Sequence, residues 1–103
     1  MIYKNLLFWY INTVMAKSDD SSDLVVERVQ TGVRIEKRLL KVLKALAEYH
    51  DMSLGDLLEG IVLHAFDGKS AFTKESLQRI ADLKRIYGLD LDSSASHRMR
   101  DHK

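Results

Sequence analysis

From Arg28 to Ile35 the chain alternates. Val29, Thr31, Val33 and Ile35 share one parity, and Arg28, Gln30, Gly32 and Arg34 the other. Successive strand side chains point to opposite faces, so the pattern predicts a β-strand over about 27–35 with a mostly apolar face and a polar, basic one. No second stretch of comparable quality follows. The simplest partner for such a strand is a second copy of the chain. The period then lengthens: Leu39, Val42, Leu43, Leu46 and Ala47 recur at helical spacing between Glu36 and about His50, with Lys37, Lys41, Lys44 and Glu48 opposite. After a turn at 50–52, Ser53 is a suitable N-cap for a second helix. Its Leu54, Leu57, Leu58, Ile61, Val62, Ala65 and Phe66 form a stripe too wide for one neighbouring helix to cover. Gly60 interrupts that helix at a cost of ~1 kcal/mol relative to alanine; close approach in a dimer and simple tolerance both account for it.

Asp67 to Ser70 ends the second helix. Thr73 is a plausible cap for a third over about 74–87, carrying Leu77, Ile80, Ala81, Leu83, Lys84 and Tyr87, with Gly88 as its stop. Leu89 to Lys103 is serine-rich and then basic, and is expected to be increasingly disordered. At the other end, the run from Leu6 to Ala16 is too short to span a bilayer. Lys4, the apolar centre and the context at Val14–Ala16 resemble a leader, but Asn12 and Thr13 weaken that centre. Met15 is the expected working start, which makes residues 1–14 an extension and residues 17–24 a flexible acidic linker. The expected organisation is an N-terminal extension over 1–24, a dimerisation and binding unit over 25–68, and a helix with a tail over 69–103.

Charge sharpens this division. The 103-residue chain has a formal net charge of only +1. Residues 28–47, however, hold Arg28, Arg34, Lys37, Arg38, Lys41 and Lys44 against Glu36 alone, a net +5, whereas residues 48–67 hold five carboxylates and no Lys or Arg. A basic strand and first helix form a candidate footprint for nucleic acid; the bland alternative is a solvated helix face. There is no cysteine, which excludes a disulfide framework or thiolate metal site and is compatible with the expected cytoplasmic location. His50 beside Asp51, and His64, lack the spacing of a metal pair or a companion nucleophile, and both read as solvated. No catalysis, metal or cofactor is expected.

An alternating basic strand, a helix, a short turn and a capped second helix, over about residues 28–66, resemble the ribbon–helix–helix repressors of the Arc and MetJ type. The resemblance implies a mainly α fold, in which one short strand pairs across a homodimer, two helices build the core, and the third helix is an addition. It places Gln30, Gly32 and Arg34 at the base-reading positions of a ribbon in the major groove; Arg34 suits guanine and Gln30 adenine. It sets the amides of Ser53, Leu54 and Gly55 against a phosphate, which the helix N-terminus favours independently. Lys37, Arg38 and Lys41 follow as further phosphate contacts. Val33, Ile35, Leu43, Leu46, Leu57, Leu58, Ile61 and Val62 become the dimer core. Gly32 and Thr31 depart from the family pattern, the first removing a direct base contact and the second placing a polar residue on the inward face. The implied function is sequence-specific double-stranded DNA binding by a homodimer, or a higher oligomer on DNA, acting as a repressor without contact with a membrane. The alternative is an antitoxin-like or structural dimer whose C-terminal helix binds a protein partner.

Overall fold

A computed structural model of the protein describes residues 23–101. The expectations for the apolar run 1–16, the Met15 start, most of the 17–24 linker and the last two residues of the tail lie outside these residues. Three helices follow one another: α1 over Lys37–Tyr49, α2 over Leu54–Phe66 and α3 over Lys74–Tyr87. A single 3-10 turn, Ser93–Ala95, lies beyond them.

Each helix starts at a side chain that accepts a backbone N–H of its own first turn. Ser53 Oγ accepts from Asp56 N at 3.0 Å, and Thr73 Oγ1 accepts from Ser76 N at 3.1 Å. α1 uses Glu36 instead, whose Oε1 accepts from Leu39 N at 2.8 Å. Glutamate is not among the favoured N-cap residues. The same hydrogen bond, with a smaller contribution from Arg38, holds the Glu36 carboxyl below its usual pKa range against the opposing effect of burial. α3 stops at Gly88, whose left-handed φ of 66° costs glycine little and lets Leu89 N reach Lys84 O at 2.8 Å.

No strand exists among the described residues, so the expected ribbon–helix–helix fold is corrected to a three-helix one. Residues 23–35 carry no regular structure and residues 23–34 are all exposed. The alternation does not sort them into faces, because Val29 and Val33 lie open to solvent together with Gln30 and Arg34. The reason is backbone accounting. A ladder needs an adjacent edge, and the rest of the described chain is committed to helices and their connections.

The core is shared by all three helices. Leu46, Ala47 and Leu57 are its buried centre, with Leu43, Met52, Ile61, Phe72, Ile80 and Leu83 packed against them. α3, outside the unit that the family resemblance covers, lies against α1 and contributes Ile80 and Leu83 to this centre. Residues 89–101, for which composition predicts disorder, fold back as a strap: Leu89 is buried, and Asp92 caps the 3-10 turn. Arg38 ties the strap to α1, donating through Nη1 to Gly88 O and Asp90 Oδ1, both at 3.0 Å, and through Nε to Glu36 at 3.0 Å.

Candidate functional site

Lys37, Lys41 and Lys44 stand three and four residues apart on one helix, and all three are exposed. This row exists because Val42, Leu46 and Ala47 turn the opposite side of α1 into the core. None of the three lysines has an ion pair among the described residues. They share this face with the exposed Glu48, so the row is cationic on balance.

The arginines of the basic segment are placed differently. Arg28 makes a forked contact with Glu59 of α2, Nε to Oε2 at 2.9 Å and Nη2 to Oε1 at 2.8 Å. That hydrogen bonding holds the Glu59 carboxyl below its usual range, outweighing the effect of burial. Arg34 is exposed and pairs with Asp101 near the end of the strap. Arg38 is taken up by the Glu36, Gly88 and Asp90 contacts. The basic and acidic blocks of the sequence thus partly answer each other through Arg28 and Glu59, thirty-one positions apart. Spacing along the chain carries no signal for such a pair.

The remaining expected site residues scatter by environment. Gln30 and Gly32 are exposed, and a Cβ built on Gly32 would meet nothing within 4 Å. At the start of α2, Ser53 and Gly55 are exposed and Leu54 is half-buried. The first amides of a helix are a natural anion site, although Asp56 places a carboxylate in the same turn. Of the residues expected in a dimer core, Leu46 and Leu57 are buried within this chain, whereas Ile35, Leu43, Leu58 and Ile61 are half-buried. Val33, at 74% exposure, and Val62, at 43%, face solvent.

Val62 belongs to a larger surface. On the outer side of α2, Leu63 and Phe66 are 63% and 81% exposed. Leu24, Val25, Val29 and Val33 of the preceding segment are also open. Arg28 draws this segment towards α2 through Glu59. These side chains leave a large apolar area on the outer side of α2 open to solvent among the described residues.

The histidines are not simply solvated. His50 is half-buried between α1 and α3, with Nε2 3.3 Å from Ser76 Oγ and its ring edge-on to Tyr49. Tyr49 Oη in turn donates to Glu75 at 3.1 Å, and the Arg79 guanidinium lies 4.8 Å from the Tyr49 ring centroid. His64 Nδ1 lies 2.7 Å from Gly60 O, one turn back on its own helix. The described residues include no group of three His, Cys, Asp or Glu side chains able to hold a metal.

A cleft of about 400 Å³ opens between α1, α3 and the strap. Its walls are apolar except for Lys84, Asp92, Ser93 and Ser96. Asp92 Oδ1 accepts from both the amide and the hydroxyl of Ser94. These bonds hold its carboxyl below the usual range, with a smaller contribution from the nearby Lys84 charge.

Comparison with known proteins finds no matching family model, no matching curated relative and no matching solved structure. Among the described residues, no helix is long and apolar enough to cross a membrane.

Proposed function

We propose that the protein is a homodimeric regulator that binds double-stranded DNA and represses transcription by occluding a promoter. The observation that carries this reading is the exposed row Lys37, Lys41 and Lys44 on α1; the exposed Val62, Leu63 and Phe66 of α2 are the surface that a second copy would cover. Neutralising phosphates with lysine releases condensed counterions, which gives an affinity without sequence preference that falls with salt. Sequence preference then rests on Gln30 and Arg34, both exposed on the segment before α1. Arg34 would exchange Asp101 for a base edge. That exchange is open to it because both partners of the pair are largely solvent-accessible.

A partner protein gripped by α3 has less support. α3 turns Ile80 and Leu83 onto the core, leaving Leu77, Ile86 and Tyr87 as its exposed large apolar residues.

The test is fluorescence anisotropy of the full chain on labelled duplexes at two salt concentrations. Wild type should bind with a steep salt dependence. A triple Lys37→Gln, Lys41→Gln, Lys44→Gln variant should lose about three from the magnitude of the log–log slope, roughly one per phosphate contact. Arg34→Ala should instead lose discrimination between specific and scrambled duplexes. Salt-independent or absent binding by a folded wild-type dimer would overturn the proposal.

A further inference from the structure

The strap leaves α3 at Gly88 and returns to the start of α1, where the lysine row begins. Two contacts fix that return. Arg38 donates to Gly88 O and Asp90 Oδ1 at the beginning of the strap, and Arg34 pairs with Asp101 near its end. Between them, Met99 lines the same cleft as Leu39 and Leu43 of α1, so the strap end is not placed by the exposed Arg34–Asp101 pair alone. Lys37 lies between Arg34 and Arg38 in the chain, and Lys41 follows Arg38 by one helical turn. The last residues of the strap therefore stand at the N-terminal end of the lysine row.

Those residues carry a surplus of positive charge. Arg98 and Arg100 flank Met99, and both are exposed. Arg98 donates through Nη1 to Ser94 O at 2.8 Å, a neutral acceptor that leaves its charge unbalanced. Neither arginine has an ion pair among the described residues. The carboxylates of this region are engaged elsewhere, Glu36 and Asp90 with Arg38 and Asp101 with Arg34. Over residues 98–101 two arginines stand against Asp101 alone, so the strap end stays cationic when Arg34 exchanges Asp101 for a base.

We infer that the end of the strap is a second phosphate-contacting element, in which Arg98 and Arg100 meet the DNA backbone next to the base edge reached by Arg34. This extends the DNA reading proposed above and rests on it. Position and charge carry it together. Consecutive Cα atoms are about 3.8 Å apart, so Arg100 is brought to the place where Asp101 meets Arg34. A guanidinium offers paired N–H donors to phosphate oxygens, and such backbone contacts fix register and orientation without reading sequence. Leu89, Met99 and the Arg38 contacts hold this cationic end against the helices, which lowers the cost of ordering it on DNA.

The test is anisotropy of full-chain variants on specific and scrambled duplexes across a salt series. Arg98→Gln combined with Arg100→Gln should weaken both duplexes by a similar factor, about fivefold or more at low salt. It should lower the magnitude of the log–log slope by about two, roughly one per phosphate contact, without changing the helical circular dichroism. Lys69→Gln combined with Lys74→Gln removes the same charge from exposed positions leading into α3, whose first turn meets the far end of α1 through Glu75 and Tyr49. That variant should keep the wild-type slope. In ¹⁵N-labelled wild type, added duplex should move the amide signals of residues 98–101 together with those at the start of α1. Equal slope losses in the two double variants would reduce the effect to net charge and overturn the inference, as would amide shifts that leave residues 98–101 unmoved. A wild-type slope in the strap variant, with the triple lysine variant losing about three, would overturn it while leaving the DNA reading intact. Absence of salt-dependent binding by wild type would remove the DNA reading itself, and this inference with it.

Discussion

α1 and α2 are both thirteen residues long, and the more apolar of them is the less buried. α1, KRLLKVLKALAEY, puts Val42, Leu46 and Ala47 fully inside, with Leu46 at 1% exposure. α2, LGDLLEGIVLHAF, buries only Leu57, although Asp56, Glu59 and His64 are its only ionisable side chains. The difference lies in the neighbours. α1 is packed against both α2 and α3 and is crossed by the strap, so its narrow stripe is fully used. α2 packs against α1, and its second apolar side, at Val62, Leu63 and Phe66, meets solvent. A stripe matched to its neighbours becomes core, whereas apolar side chains beyond what the neighbours can cover stay at the surface.

The largest expected effects break this contrast directly. Leu46→Ala should cost about 2–5 kcal/mol in chemical denaturation, because a cavity opens where three helices meet. Leu63→Asp should cost little stability within one chain, because the side chain is exposed. It should instead shift the mass in light scattering from dimer to monomer while circular dichroism keeps its helical signal. A monomeric wild type with a melting temperature independent of concentration would show that the α2 surface is not a self-association surface.

Ser53→Ala comes next. Loss of the cap at Asp56 N should destabilise by about 0.5–2 kcal/mol in urea titration, whereas Ser53→Asp, which keeps an acceptor at the cap, should retain most of the wild-type stability. Gly60 sharpens the same comparison at about 1 kcal/mol. A Cβ there would meet nothing within 4 Å inside the chain, so Gly60→Ala should stabilise the isolated fold by helix propensity. If a second α2 crosses at Gly60, the same change should instead weaken the dimer. Thermal melts at two protein concentrations separate these results.

The smallest effects are electrostatic. Hydrogen bonds hold the carboxyls of Glu36 and Glu59 below their usual range. A lowered folded-state pKa contributes stability that is fully present above the unfolded value and is lost as pH falls through the folded one. The stability of the wild type should therefore decline as pH drops below roughly 4. Glu36→Gln should flatten part of that decline, because glutamine can still accept from Leu39 N but cannot be protonated. The Arg28–Glu59 pair is exposed on both sides, so high salt should mask its share of the decline before that of the Glu36 cap.

Local patterning by itself determined the helices. A 3.6-residue period, Ser53 and Thr73 as caps and Gly88 as a stop are decided within one or two turns of chain. For that reason the expected spans, about 36–50, 54–66 and 74–87, agree with Lys37–Tyr49, Leu54–Phe66 and Lys74–Tyr87. The exposed lysine row was legible for the same reason, since the apolar positions of α1 dictate its opposite face. Residues 27–35 lie on the other side of the divide. Alternation states only which way side chains would point on a strand, and a strand exists only where another edge supplies its hydrogen bonds. The described chain supplies none. Long-range placement was equally a matter for the tertiary structure. The strap held by Arg38, the pairing of Arg28 with Glu59 and the position of His50 against Ser76 join residues twenty-six to fifty-two positions apart. No local period encodes such distances. They follow from α3 turning back onto α1, an arrangement chosen by the fit of Leu46, Ile80 and Leu83 in a shared core.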